Sequence, residues 1–369
     1  MHRTGRFILP RFFYILFALL ITMCKVCAAR SGGPFYFYHA LPMGSESIFN
    51  PLTTIFNGGF GILQISNRSN RLADINFQRG IENVTYNLSH PVSSISSYGW
   101  KRFFNQEILP TSLNRDRAQY FPNYMLHTLG GGATLVMFEE WYRWHSWPHP
   151  RWLAFASWSV YHFVNEIVEN NSYSGVNIDP ISDMYVFNSL GYALFQFEAV
   201  RKYIGCKLQL RDWSYLSAVD PHLRTIENVG QNFVVKYELP FSASWQLIYH
   251  FGNQGAGGIS YRRQDGRSLS AAVGLVADDL YETDQRSQKR TLTTQLVWTA
   301  GLFYDIDNSL LMSLILAGTK GYKVRLNIYP GMVRLGPVSP GFFINIREDN
   351  GIVAGVVVRW FPIGIAARK

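Results

Sequence analysis

The chain has 369 residues, of which 47% are hydrophobic, 15% aromatic and only 16% charged, with a formal net charge of +9; ordinary globular domains carry about 25% charged residues. Mean hydropathy is nevertheless −0.02, which excludes a bundle of membrane helices but suits a transmembrane barrel, whose apolar positions alternate with polar ones. The positive charge forms no Lys/Arg tract interleaved with stacking aromatics, so a nucleic-acid-binding protein is excluded.

Taken in order, Arg3, Arg6 and Arg11 precede the apolar run FFYILFALLITM and the small-residue stretch KVCAARSGG. These are the three regions of a secretory leader, with Val26 and Ala28 placed for cleavage after Ala28. Residues 1–28 are therefore expected to be a signal peptide, an uncleaved anchor being the alternative. Its removal would take Arg3, Arg6, Arg11 and Lys25 out of the charge balance and leave Cys206 as the one remaining cysteine, with no internal disulfide.

Residues 29–119 read as an N-terminal segment with the first strands. A strand pair is expected at Gly59–Ser66 and Leu72–Phe77, turning at NRSN. Residues 120–205 read as a helical insert. Its first helix, within Tyr120–Trp144, is interrupted by Gly130, Gly131 and Gly132, a break or a close-packing site, since each glycine costs about 1 kcal/mol in a helix. A second helix, from about Trp152 to Glu169, places Trp158, His162, Glu166 and Glu169 on one face. A third opens with Asp179 as N-cap and Pro180 at its first position, and carries Asp183, Asn188, Gly191, Glu198 and Arg201.

From residue 206 to 369 the period switches to two. QNFVVKYEL sets Phe233, Val235, Tyr237 and Leu239 against Asn232, Lys236 and Glu238, and GYKVRLNIY sets Tyr322, Val324, Leu326 and Ile328 against Lys323, Arg325 and Asn327. Most such segments approach the roughly 9–11 residues of a tilted transmembrane strand. The predicted fold is mainly β with a central α-helical insert: a transmembrane antiparallel β-barrel of about twelve strands. A soluble secreted sandwich would alternate too, but with a polar outer face.

The chemistry-bearing residues gather in the insert. His162, Glu166 and Asp183 are the candidates for an acid/base or metal site. The duplicated Glu-x-x-His of di-iron bundles and the HExxH of zinc proteases are both missing, as is a G-x-S-x-G nucleophile elbow. The competing expectation is a structural polar seam of His127, Glu166, Glu169, Asp179, Asp183, Asn188, Glu198 and Arg201, tied to backbone groups or to strand Arg and Lys. No metal and no cofactor is assigned on this ground.

The block from Glu166 through DPISDMYVFNSLGYALFQFEAVRKYI resembles a family of uncharacterised bacterial outer-membrane proteins with a domain of unknown function. In that family an apolar helix ends in acids, and a second helix runs from an Asp through a Gly-rich stretch to a Glu and a basic residue. Glu166, Asp183, Gly191, Glu198 and Arg201 occupy those places, and His127 with Gly130–Gly132 matches the family's upstream helix. The resemblance implies an outer-membrane location and carries no reaction. The expected function is that of a non-enzymatic envelope barrel which binds or passes a small or lipidic ligand, with the insert as plug or periplasmic cap. Expected partners are outer-membrane lipid and the barrel-assembly machinery. The alternative is a membrane-embedded lipid hydrolase or transferase using His162, Glu166 and Asp183.

Overall fold

Period-two alternation beyond residue 205 becomes one thirteen-stranded sheet, accompanied by several helices. The protein is described by a computed structural model over residues 29–30, 33–109, 123–283, 291–316 and 319–369; the leader expected over 1–28 lies outside them. A separate two-stranded ladder joins β1 (Ala29–Arg30) and β2 (Gly33–Pro34). The large sheet comprises β3 (Arg211–Asp212), β4 (Ala218–Asp220), β5 (Thr225–Glu227), β6 (Phe233–Glu238), β7 (Trp245–Phe251), β8 (Gln254–Arg262), β9 (Arg267–Thr283), β10 (Thr291–Ile306), β11 (Ser309–Leu316), β12 (Tyr322–Ile328), β13 (Gly341–Arg347), β14 (Ile352–Val357) and β15 (Gly364–Arg368).

From β6 to β15 each strand pairs antiparallel with the next in sequence. β15 then pairs in parallel with β4, β4 with β5, and β3 with β6. β3 and β4 are two parts of one outgoing run, and β5 and β6 two parts of its return. Between those parts the run is held by Trp213 N–H donating to Asn232 O and Tyr215 N–H to Gly230 O. The strand order therefore begins and ends in the same hairpin. Asn57 bridges the gap there: its Nδ2 donates to Tyr215 O at 3.1 Å and its Oδ1 accepts from Gly230 N at 3.1 Å.

The two faces of the sheet differ in a direct way. On the buried face lie Lys236, Gln246, His250, Ser260, Ser270, Asp305, Arg325, Asn327 and Asn345, among aromatic packing from Trp213, Phe303 and Phe343. On the exposed face lie Trp245 and Leu247 of β7, Ile259 and Tyr261 of β8, Leu269 and Val273 of β9, Trp298 and Leu302 of β10, and Ile344 and Ile346 of β13. The buried face also meets itself across the sheet. Lys236 of β6 donates to Asp305 of β10 at 2.5 Å, Asn228 after β5 donates to Asn327 of β12 at 2.8 Å, and Tyr329 OH donates to Ser214 O at 2.7 Å.

The expected early strand pair is corrected. Its first half is the end of α1 (Pro51–Gly59), capped by the Asn50 side chain accepting from Thr53 N, followed by a tight turn over Gly61–Gln64. Its second half is another tight turn at Leu72–Asp74, leading into α2 (Phe77–Ser89). A strand needs a ladder to satisfy its backbone; here local turns do that work, with Leu63 N–H donating to Phe60 O and Ile65 N–H to Ile62 O, both at 3.1 Å, while Asn253 donates to Gly61 O at 3.1 Å and Gln64 Oε1 accepts from Arg325 at 2.8 Å. The rest of α2 and the following α3 (Pro91–Tyr98) are helical as well. The expectation of a single cysteine concerns the chain after removal of residues 1–28, and Cys24 and Cys27 lie outside the described residues; Cys206 is disulfide-bonded.

In the insert, α4 (Gly132–Trp144) and α5 (Pro150–Glu169) are regular helices. The segments before and after them are wider π-type turns, at Asn123–Gly131 and Ser182–Asn188, with α6 (Ser189–Leu194) completing the set. The cap of the third helical run differs from expectation: Ile178 occupies the cap position and Asp179 the first helical one, because the side chain of Asn177 already accepts from Asp179 N–H. The glycines prove to be a packing site. A Cβ at Gly130 would lie 2.6 Å from the Phe233 ring, and one at Gly132 would lie 2.4 Å from Phe195. Phe233 and Phe251, which alternate with the inward Val234 and His250, join Phe37, Ala133 and Phe138 in one apolar cluster. The insert therefore meets the sheet on the face opposite Lys236. Among the described residues no helix is long and apolar enough to cross a membrane.

Candidate functional site

Three chain segments bring the polar residues of the insert together. His127 comes from the wide turn before α4, His162 and Glu166 from α5 one turn apart, and Asp183 and Asn188 from the wide turn before α6. A π-type turn re-aims side chains relative to a regular helix, and it is such turns that supply His127, Asp183 and Asn188. One ligand atom each from His127, Glu166 and Asp183 lies within 4.8 Å of the other two.

His127 sits between two oxygens. Its Nδ1 is 3.0 Å from Asn188 Oδ1 and its Nε2 is 3.2 Å from Asp183 Oδ2. Burial lowers the His127 pKa to about 4, with the Asn188 contact acting in the opposite sense, so the ring is neutral near pH 7 and carries a single proton. With that proton on Nδ1, donated to Asn188, the Nε2 lone pair faces the Asp183 carboxyl. Burial first, then Asp179, Glu166 and Glu169, raise the Asp183 carboxyl well above its usual range, which favours the form that can donate into Nε2. Ser182 Oγ donates to its other oxygen at 3.1 Å.

His162 stands beside this pair, its ring centroid 5.3 Å from that of His127. It is 1% exposed, and neither ring nitrogen has a hydrogen-bond partner. Burial, and next the neighbouring His127, lower its pKa well below the usual value. Gly131 makes room for it, since a Cβ there would lie 3.1 Å from His162 Nε2, and Trp158 Nε1 donates to Gly131 O at 2.8 Å to hold that approach. Glu166 Oε2 accepts from Asn170 Nδ2 at 3.3 Å.

Of the residues singled out from the sequence, His127, His162, Glu166, Asp183 and Asn188 thus share one nest, with Asp179 and Glu169 close enough to act on Asp183 electrostatically. Glu198 and Arg201 stand apart: Glu198 accepts from Tyr36 OH at 2.8 Å, and Arg201 donates to Phe195 O. None of the partners of Asp183 or His127 is a strand Arg or Lys; both are held within the insert.

A second buried carboxylate carries a role that sequence reasoning did not assign. Glu140 accepts from the backbone N–H groups of Tyr36, Phe37 and Tyr38 at 2.8–2.9 Å, pinning the segment after β2 onto α4. Burial pushes its carboxyl up to about 7, against those three donors and Arg143, which pull it down. The signal available was an acid inside the apolar run GATLVMFEEW. An asparagine cluster was also missed: Asn177 Nδ2 donates to Asn170 Oδ1 at 2.6 Å and to Asn83 Oδ1 at 3.2 Å, and Asn87 Oδ1 accepts from Asn177 N at 2.9 Å. Asn83 and Asn87 at a four-residue spacing were its trace in the sequence.

Comparison with known protein families, with curated proteins and with solved structures finds no match to this chain.

Proposed function

We propose that this protein is an outer-membrane β-barrel of the bacterial envelope, non-enzymatic, which binds or passes a small or lipidic ligand. The observation that carries the reading is the inverted polarity of the sheet. Trp298 is 78% exposed and Leu269 61%, while Lys236 and Asp305 are fully buried. In water an exposed apolar face of this extent is a liability; against lipid it is the required surface, with polar residues turned to the interior. Closure of the strand order through the 211–238 hairpin fits the same reading, since a barrel leaves no unpaired edge in the hydrocarbon.

The insert is read here as a cap on the barrel's flank, because it packs on Phe233 and Phe251 and not among the inward residues. Residues 60–72 close one end: Gln64 reaches Arg325, Lys320 donates to Arg68 O, and Leu72 N–H donates to Arg224 O at 3.0 Å. The non-enzymatic reading is preferred to a lipid hydrolase because His127, His162 and Asp183 are 9%, 1% and 4% exposed, which leaves a bulky substrate no access.

The test is fractionation of the expressed full chain together with heat-modifiable gel mobility. A sarcosyl-insoluble envelope protein that migrates faster unboiled than boiled is expected, and native mass spectrometry of that sample should find a co-purified lipid or small ligand. A product wholly soluble in the periplasm overturns the proposal.

A further inference from the structure

We propose that His127, Glu166 and Asp183, with His162 beside them, form a closed binding site for one divalent first-row transition-metal ion, which staples the three segments of the helical insert together.

The first ground is geometric. Ligand atoms about 2.0–2.2 Å from a tetrahedral ion lie roughly 3.3–3.6 Å from one another. His127 Nε2 and Asp183 Oδ2 are already 3.2 Å apart, and Glu166 completes a triangle no wider than 4.8 Å. The second ground is the orientation of His127. Asn188 Oδ1 at 3.0 Å from Nδ1 fixes the proton there and turns the Nε2 lone pair toward Asp183, the arrangement by which a neighbouring carbonyl or carboxylate aligns a metal-binding imidazole. Two oxygen or nitrogen acceptors facing each other need a cation between them, either a proton or a metal.

The third ground is independent of those contacts. His162 is 1% exposed, and both its ring nitrogens lack a hydrogen-bond partner. Buried polar groups nearly always find partners, and a neutral imidazole left without one beside a His–Glu–Asp cluster is a donor in search of an ion. Its Nε2 packs closely on Gly131, where a Cβ would lie only 3.1 Å away, and its ring lies 5.3 Å from that of His127.

The donor set selects the ion. One imidazole with two carboxylates, and a second imidazole beside them, suit zinc, iron, cobalt or manganese, whereas calcium and magnesium prefer all-oxygen shells. His127, Glu166 and Asp183 are 9%, 0% and 4% exposed, and an ion shut away from solvent in this way suits a structural site and not a catalytic one. The inference does not depend on the barrel, because every ligand belongs to the insert.

The experiment uses the full chain purified in detergent, stripped with chelator, then equilibrated separately with Zn2+, Co2+, Mn2+, Ca2+ and Mg2+ and freed of excess ion. Metal content by plasma mass spectrometry, the visible absorption of the Co2+ form and the thermal unfolding midpoint are read. Expected are about one Zn2+ or Co2+ per chain, a Co2+ spectrum of low-coordinate intensity, and a raised midpoint. His127→Ala and Asp183→Asn should abolish retention. Asn188→Leu, which removes no ligand and keeps the packing, should weaken binding by about 10–100-fold with helical circular dichroism unchanged. Replacing the surface residue His222 by Ala should change nothing. The proposal is overturned if the wild-type chain retains none of the transition metals, if only Ca2+ or Mg2+ binds, or if Asn188→Leu and His127→Ala bind as the wild type does.

Discussion

Along the sheet, polar side chains are buried and apolar ones exposed, strand after strand, whereas the helical insert has an apolar centre built from Phe37, Val136, Phe138, Trp158 and Phe195 and, apart from Glu140, gathers its buried acids and histidines in one nest. The same twenty amino acids are thus sorted by two rules within one chain. Which rule applies depends on what lies outside. On the proposed outer-membrane reading, the sheet's outer surface loses nothing by being apolar, so the polar residues can be gathered inside, where they satisfy one another. A helical bundle resting on that sheet follows the ordinary rule, and its few buried polar groups must each be paired within a small space.

Four substitutions sharpen or break this comparison. The largest effect is expected from Lys236→Ala, which strands Asp305 without the 2.5 Å ammonium contact inside the sheet. Loss of one partner from a buried ion pair costs about 3–5 kcal/mol, measurable as a lower urea midpoint for the refolded protein. If Lys236→Ala were neutral, the buried face would be wetter than its packing implies.

Trp298→Arg tests the other face. In a bilayer an arginine on the lipid-facing midplane costs about 2–4 kcal/mol, read from folding titrations into phospholipid vesicles. On a water-facing surface the same change stays within about 0.5 kcal/mol, so a silent Trp298→Arg would remove the basis for the membrane assignment.

Asn57→Leu should be smaller. It leaves Tyr215 O and Gly230 N–H unsatisfied where the hairpin splays, a loss of about 1–3 kcal/mol. Hydrogen exchange localised at residues 213–217 and 228–232 would distinguish this from general loosening.

The smallest effect near pH 7 belongs to Glu140→Gln, about 1 kcal/mol, because the amide oxygen keeps part of the acceptance from residues 36–38. Its signature is in the pH profile. Burial raises the Glu140 carboxyl from 4.5 to about 7, so the folded chain holds this proton more tightly than the unfolded one. The resulting contribution is fully present below about pH 4.5 and is lost as pH rises through 7. Arg143 and the backbone donors of Tyr36, Phe37 and Tyr38 face the same carboxylate. In Glu140→Gln, stability between pH 4.5 and 7 should lose that slope; an unchanged slope would assign the titration to another group.

Much of the sheet was legible because a strand's alternation is local. Gln246, Ile248 and His250 turn one way and Trp245, Leu247 and Tyr249 the other, as the sequence alone indicates. Tyr322 is an exception. By alternation it shares a side with Val324, yet a register shift between Tyr322 and Val324 turns it inward, where its hydroxyl donates to Glu227 at 3.2 Å. A bulge is settled by the neighbouring strand and leaves no mark in the run itself. The N-terminal segment misled for a related reason: GFGILQIS has strand-like composition, but its backbone is taken up by the end of α1 and the tight turn over Gly61–Gln64.

The insert was legible in type and only partly in arrangement. Apolar spacing indicated helices, and four-residue spacing placed His162 and Glu166 on one face. It could not indicate that wide turns at Asn123–Gly131 and Ser182–Asn188 would carry His127, Asp183 and Asn188 into that face, since hydrogen-bond spacing within a turn follows from packing.

By itself, then, the sequence determined the period of each element of the sheet and the presence of acids and histidines in an apolar insert. These are local properties, set by backbone geometry and side-chain type. Tertiary structure alone decided that Lys236 meets Asp305 across the sheet, that Asn57 fills a gap in a hairpin, and that His127 joins His162, Glu166 and Asp183. Each of those depends on contacts between residues far apart in the chain, whose meeting is fixed by the burial of everything around them.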